Sequence, residues 1–212
     1  MDEEGARVRP SPLGLAVLSL LFTGPLHPYG MQRLIKLWGK DQVINVGQRA
    51  NLYKTIARLK DGGLVTVRQS ERSQQYPERT VYQLTDEGRT AARDWLTEML
   101  AAPRREFPQF PAALSFTMLL GPEATEAALA RRAEVLRERL TELEQDLERY
   151  SESLPRVTLL DDEYRRATTA AELSWIDGLR DDLRSGRLTW SKDDLEAQAG
   201  ADLTGMGLQP GD

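Results

Sequence analysis

Three neighbouring residues in the N-terminal half have side chains that can recognise DNA bases by hydrogen bonding. Arg49 can bind guanine through two hydrogen bonds, and Gln48 and Asn51 can do the same for adenine. Lys54 and Arg58 follow one and two turns later, where a cation is suited to bind DNA phosphates. Phosphate contacts position a protein on DNA but do not distinguish one base sequence from another. These five residues predict contact with double-stranded DNA, although an ordinary solvated helix can carry the same residue types.

The segment 48–61 is expected to form the helix that carries these side chains. Leu52, Ile56 and Leu59 recur at spacings of four and three, which is the pattern of a buried helical stripe. The five candidates lie off that stripe and are expected to face outward, together with Thr55.

The surrounding sequence predicts a winged helix-turn-helix. Helices are expected over 12–23 and from Pro28 to a stop at Gly39, and strands over 64–68 and 80–84 follow the third helix. Three helices followed by a β-hairpin place one helix in the major groove. The hairpin loop has cations that can reach the DNA backbone or the minor groove, unless they are plain solvated residues: Arg68, Arg72 and Arg79.

The charge of the chain is divided unevenly. The net charge is −5, yet residues 33–79 contain ten basic and four acidic residues, or +6. Residues 101–212 contain 14 basic and 22 acidic residues, or −8. Because each phosphate contact is short-ranged, the local positive segment decides DNA affinity and the acidic total does not exclude it.

Catalysis, metal binding and cofactors are not expected. There is no cysteine, and His27 is the only histidine. The acidic groups at 86–87 and 161–163 stand at predicted helix starts, where the helix dipole accounts for them. No apolar run approaches the roughly 18 residues of a membrane span, and the acidic start is unlike a signal peptide, so we expect no membrane contact and a cytoplasmic protein.

The C-terminal half is expected to be helical, giving a mainly α chain with one small hairpin. We predict a winged domain over 11–102, a proline-rich linker over 103–111, a helical dimerisation domain over 112–190 and a disordered tail over 191–212. A heptad pattern over 129–154 predicts a coiled coil, within one subunit or between two. The first helix is apolar nearly all round, which suggests a partner subunit on its second side. The residues predicted to form a homodimer are Leu15, Leu18, Phe22, Leu136, Leu140, Leu143, Leu147 and Tyr150.

Several spaced motifs resemble the PadR family of bacterial transcriptional regulators. They are Gly24-Pro-Leu-His-Pro-Tyr-Gly30 after the apolar helix, Leu52-Tyr53 with Arg58-Leu59, Gly63-Leu64-Val65, and Val81-Tyr-Gln-Leu-Thr-Asp-Glu-Gly88. The resemblance covers roughly residues 12–100. It departs at the start of the third helix, where a small residue or proline is usual and Gln48 to Asn51 stand here.

The resemblance implies a homodimeric regulator, most simply a repressor, that binds an inverted-repeat operator. It implies a phosphate contact for the Tyr53 hydroxyl and an aromatic small-molecule effector near Trp95 and Met99, although packing explains Trp95 more simply. Trp38 and Trp175 are interpreted as packing residues. Two alternatives stay open: a coiled-coil interaction module that uses its winged domain for protein contacts, and a sensor whose main output is effector binding.

Overall fold

The computed structural model describes residues 8–71, 79–191, 193–194 and 196–197. The chain forms two compact units, Met1–Arg105 (unit 1) and Glu106–Asp212 (unit 2). The predicted architecture, mainly helical with one β-hairpin, is confirmed. No helix among the described residues is long and apolar enough to cross a membrane.

The described part of unit 1 consists of three helices, a hairpin and a fourth helix. In chain order they are α1 (Pro12–Leu21), α2 (Pro28–Leu37), α3 (Arg49–Asp61), β1 (Val65–Glu71), β2 (Arg79–Leu84) and α4 (Asp86–Ala101).

The starts of α1 and α2 are set by side-chain caps. The Oγ of Ser11 accepts a hydrogen bond from the amide of Gly14 at 3.1 Å, and Nδ1 of His27 accepts one from the amide of Gly30 at 2.7 Å. Both helices have proline in the first position, where no amide hydrogen is needed. His27, the only histidine, therefore has a structural role at a helix start.

The core of unit 1 is formed by apolar residues from all three N-terminal helices, β1 and α4. Its fully or nearly fully buried members include Val17, Leu18, Met31, Ile35, Leu52, Ile56, Leu59, Val65 and Trp95. The predicted stripe of α3 is thus the face that holds the helix on the unit. Thr55, expected to face outward, is also buried at 8% exposure, because it lies between Leu52 and Leu59 on the helix surface.

The hairpin is joined to the helices by backbone hydrogen bonds as well as by the chain itself. β1 and β2 pair antiparallel, and a bulge at Arg68 interrupts the register between Val67 and Gln69. Leu26, which precedes α2, exchanges backbone hydrogen bonds of 3.0 and 2.9 Å with Tyr82 in β2. The strands are therefore fixed to the helix-turn-helix rather than attached by a loop alone.

Unit 2 is built around two long helices, α6 (Pro122–Ser151) and α7 (Leu160–Arg184), which follow the short α5 (Gln109–Leu114). Ion pairs link early α6 to late α7 and late α6 to early α7, as Glu126–Arg184 and Glu144–Arg166 show, so the two helices are antiparallel. Leu129, Ala133 and Leu136 pack against Ile176 and Leu183. The heptad of α6 therefore pairs within the chain along this part of its length.

Part of the predicted linker belongs to a helix of unit 2. The linker was expected over 103–111 and the helical domain from residue 112, whereas α5 begins at Gln109 and a 3-10 turn covers Thr117–Leu119. Pro111 stands in the first turn of α5, where its missing amide hydrogen costs nothing. Phe110 packs on the core of unit 2, under the guanidinium of Arg132 at 3.8 Å from the ring centre.

Candidate nucleic-acid interface

The turn that leads into α3 is held by two hydrogen bonds and one buried side chain. The side-chain amide of Gln32 in α2 donates to the carbonyl of Val46 at 3.3 Å, and Val46 itself is buried. Oδ1 of Asn45 accepts a hydrogen bond from the amide of Gly47 at 3.2 Å, which closes a tight turn. These contacts fix where α3 begins, and Gln48 at its N-cap makes no capping hydrogen bond with its side chain.

The predicted DNA-contacting side chains of α3 are all exposed, and they fall into two rows. Residues three or four apart are neighbours on a helix surface. Asn51, Lys54 and Arg58 form one row, and Arg49 and Tyr53 form the other. One helix face therefore presents hydrogen-bonding and cationic side chains along both edges.

Small side chains separate these two rows. Ala50 and Ala57, seven residues apart, both lie on the exposed surface opposite the buried stripe. Methyl groups at these positions allow the helix backbone to come close to a flat or concave surface, while longer side chains on each edge reach past it. This shape suits the floor of a major groove, which admits one α-helix.

Arg58 is tied to the first helix of the unit. Its Nη2 donates to Oγ of Ser11 at 3.2 Å, and the same oxygen caps α1 by accepting from Gly14. The guanidinium is thus held beside the positive end of a helix dipole, a place that favours an anion such as a phosphate. Ser11 was not predicted as a site residue, because it lies 47 positions from Arg58 and only the fold brings them together.

Of the three arginines predicted in the wing, the structure describes the side chain of Arg68. Arg68 is exposed and occupies the bulge of β1, where an extra residue bends the strand and changes the direction of its side chain. Arg72 lies outside the described residues. For Arg79 the structure defines the backbone in β2.

Three residues predicted for dimerisation are buried by the chain itself. Leu18 is fully buried in unit 1, and its assignment to a subunit interface is wrong because the unit's own core covers it. Leu136 and Leu143, at 6% and 5% exposure, are likewise buried within unit 2. An apolar stripe on a helix can be covered by its own domain as well as by a partner subunit, and the residue pattern is the same in both cases.

The other predicted dimerisation residues keep accessible surface. Leu15 is half-buried against the core of unit 1, and Phe22 is 38% exposed with the guanidinium of Arg89 over its ring at 5.2 Å. In α6, Leu140 and Leu147 are half-buried and Tyr150 is 41% exposed.

The two residues predicted to lie near an effector, Trp95 and Met99, differ in exposure. Trp95 is a core residue, and its ring packs directly beside Gly14 of α1, so its faces are taken by the protein. Met99, one turn later, is half-buried. Trp38 and Trp175 were expected to pack but are about half exposed. The described residues include no cluster of His, Asp or Glu that could hold a metal ion.

The third helix is fixed by a turn, presents an exposed polar face and is followed by a hairpin. These features define a DNA-binding protein of the winged helix-turn-helix class. Residues 17–94 match the model of the Transcriptional regulator PadR-like family. The matched segment is the winged domain, which is therefore a PadR-like domain, and the chain is a DNA-binding transcriptional regulator. No curated protein matches it in sequence.

Solved structures with the same fold extend over both units. Bacillus subtilis PadR in complex with operator DNA is 20% identical, with a TM-score of 0.68 over 82% of this chain and 99% of that chain. The same protein with p-coumaric acid is 19% identical, with a TM-score of 0.67 over 81% and 98%. The Vibrio cholerae virulence activator AphA is 20% identical, with a TM-score of 0.61 over 82% and 98%. At this identity the likeness concerns the fold.

Proposed function

We propose that this chain is a homodimeric repressor that binds an inverted-repeat operator through α3 and responds to a small-molecule effector. The observation that carries the proposal is the exposed face of α3, with hydrogen-bonding side chains on both edges and alanines between them. The similarity to PadR bound to operator DNA supports the same use of this fold here.

The first turn of α3 and its later turns have different tasks in this proposal. Arg49 and Asn51 stand in the first turn and read base edges, together with Gln48 at the N-cap. Lys54 and Arg58 stand later in the helix and bind phosphates. Tyr53, 55% exposed, gives its hydroxyl to a phosphate, and Arg68, Arg72 and Arg79 contact the DNA backbone or the minor groove from the wing.

The second copy of the chain covers apolar surface at one end of unit 2. Tyr150, Leu154, Val157 and Leu160 are between 41% and 72% exposed and lie around the connection from α6 to α7. An exposed group of this kind marks an interaction surface. Leu140 and Leu147 extend it along α6, and Leu15 and Phe22 add to the subunit contact from α1. Two winged domains then meet major grooves about 34 Å apart.

A regulator of this kind works where the DNA is, in the cytoplasm, and its activity is regulation rather than catalysis. The complex of PadR with p-coumaric acid supports an effector for this chain as well.

The proposal is tested by selecting DNA that the full-length protein binds from a random-sequence pool, and by measuring its fluorescence anisotropy with the region upstream of its own gene. We expect an inverted repeat with half-sites about one helical turn apart, bound by a dimer in light scattering. Equal affinity for scrambled DNA that falls only with salt would contradict the operator, and a monomer on a single half-site would contradict the dimer.

A further inference from the structure

The second helix of unit 1 presents a row of polar side chains that the DNA contacts described above do not include. Tyr29, Arg33 and Lys36 are spaced by four and three residues, so they are neighbours along one side of α2. All three are exposed, and the ring centre of Tyr29 lies 5.9 Å from that of His27 at the helix start. These three residues are called the α2 row below.

The charge around the α2 row has one sign. No Asp or Glu stands between Glu4 and Asp41, so α2 contains cations and no acidic residue. Neither Arg33 nor Lys36 pairs with a carboxylate among the described residues. The long helices of unit 2 differ, because their surfaces mix both signs and form ion pairs between α6 and α7. Exposed cations without acidic partners indicate an anionic ligand.

The α2 row lies beside the start of α3. Gln32 is three residues from Tyr29 and four from Lys36, so its side chain lies on the same side of α2. The side-chain amide of Gln32 donates to the carbonyl of Val46 at 3.3 Å, in the turn that leads to the N-cap of α3. The α2 row therefore adjoins the end of α3 that is proposed to read bases.

The spacing of these cations fits the dimensions of DNA. Lys36 stands seven positions after Tyr29, about 10 Å along α2, which equals the axial rise of about three phosphates on one strand. Arg49 and Arg58 are about 14 Å apart along α3, close to the width of a major groove, about 12 Å. Cations near both ends of α3 can therefore reach the two strands that border one groove.

We propose that the α2 row binds phosphates of the DNA strand that borders the start of α3, and so fixes the orientation of α3 in the groove. Arg33 and Lys36 pair with phosphates, and Tyr29 donates its hydroxyl to one. Contacts of this kind position a protein on DNA and do not distinguish bases. The inference rests on the proposed insertion of α3 into the major groove only for the choice of strand.

The salt dependence of DNA affinity tests the α2 row. Each cation that binds a phosphate adds about 0.9 to the slope of log affinity against log salt concentration. By fluorescence anisotropy of the full-length protein, Arg33→Gln and Lys36→Gln should each lower this slope by about 0.9, with the ratio of affinities for selected and scrambled DNA unchanged. Arg93→Gln removes the same charge from the exposed surface of α4 and should change neither quantity.

Tyr29→Phe separates the hydroxyl from the charges. It should weaken selected and scrambled DNA about fivefold each and leave the salt slope unchanged, because the lost hydrogen bond involves no cation. All these variants should melt at the wild-type temperature, since the positions are exposed and glutamine is a helix former comparable to lysine and arginine.

Uncharged methylphosphonates at single positions of the selected DNA locate the contact. We expect them to weaken the wild type at phosphates beside the base pairs that α3 reads, and to have no such effect on Arg33→Gln. Wild-type salt slopes in Arg33→Gln and Lys36→Gln, or an equal change in Arg93→Gln, would overturn the α2 row. Selective binding with unchanged slopes refutes only this row, whereas lowered slopes without preference for the selected DNA refute only base reading by α3.

Discussion

Arg58 donates a hydrogen bond to the Oγ of Ser11 at 3.2 Å, and this oxygen also accepts a hydrogen bond from the amide of Gly14 at 3.1 Å. One hydroxyl group thus starts α1 and holds a cation of α3 in place. Through this contact, the orientation of a proposed phosphate-binding side chain depends on the N-cap of another helix.

Substitutions at Ser11 separate the cap from the arginine contact. Ser11→Gly keeps a tolerated N-cap residue and should cost only a few tenths of a kcal/mol, whereas Ser11→Ala should cost about 1 kcal/mol. Both remove the hydroxyl, so both should weaken operator binding by about threefold, as expected for one lost orienting hydrogen bond. Anisotropy titrations and urea unfolding measure the two effects. Ser11→Thr is the control that keeps both contacts, and an unchanged affinity in Ser11→Gly would refute the role of the contact.

Ala50 should control how closely α3 approaches DNA. Ala50→Leu places a larger side chain between the two rows on an exposed position, where leucine is nearly as good a helix former as alanine. We expect stability within about 0.5 kcal/mol of the wild type and a loss of operator affinity of tenfold or more. Ala127→Leu on the exposed face of α6 is the control and should change neither. Normal binding by Ala50→Leu would show that this face does not enter the groove.

Gly88 of α4 packs closely against Leu64 and Leu84, which stand at the base of the hairpin. A Cβ at this residue would collide with the carbonyl oxygen of Leu64 and come within 2.8 Å of Cδ1 of Leu84. Gly88→Ala should therefore destabilise unit 1 by about 3 kcal/mol, since a backbone atom cannot move aside cheaply. Gly178 in α7 has open space around its Cβ position, so Gly178→Ala should stabilise unit 2 by up to about 1 kcal/mol. Thermal unfolding followed by circular dichroism measures both, and a neutral Gly88→Ala would contradict the packing.

The stability of unit 2 should fall in acid. Hydrogen bonds from Arg156 lower the pKa of Glu163, the largest effect on that carboxyl. Partial burial raises the pKa of Glu126, but Arg180 and Arg184 together lower it below its ordinary value. A folded pKa below the unfolded one means that the stabilisation is present above the unfolded value of about 4.3 and is lost as the pH falls below it.

The measurement for this prediction is the melting temperature between pH 7 and pH 3, at low and high salt. The acid-induced decrease should be smaller in Glu126→Gln than in the wild type, because the variant has lost one of the groups that take up a proton. An identical decrease in both proteins would show that Glu126 does not contribute. High salt should reduce the difference, since these ion pairs are partly exposed.

Local sequence signals were sufficient for the order of elements. Ser11, Pro12 and Pro28 stand at helix starts, as their residue types favour. The helix start predicted at residues 86–87 is the start of α4, which Thr85 caps. The exposed residues of α3 were also predictable, because Leu52, Ile56 and Leu59 identify the face that is buried.

Contacts between distant segments were not predictable from these signals. The burial of Leu18 and Trp95 depends on α1 and α4 packing together, and the exposure of Trp38 depends on a core that is already filled without it. Ser11, the partner of Arg58, lies 47 positions away along the chain. Periodicity shows that a residue is buried, and it does not show which surface covers it.

The most direct test of base reading by α3 is the ratio of affinities for the selected operator and for scrambled DNA, measured for the wild type, Arg49→Ala and Arg131→Ala. Arg131 is an exposed cation of α6, so its variant controls for the lost charge. We predict that Arg49→Ala lowers the ratio about tenfold or more, as for the loss of a bidentate base contact, and that Arg131→Ala leaves it unchanged. An unchanged ratio in Arg49→Ala, with both affinities lowered equally, would show a phosphate contact and contradict base reading by this residue.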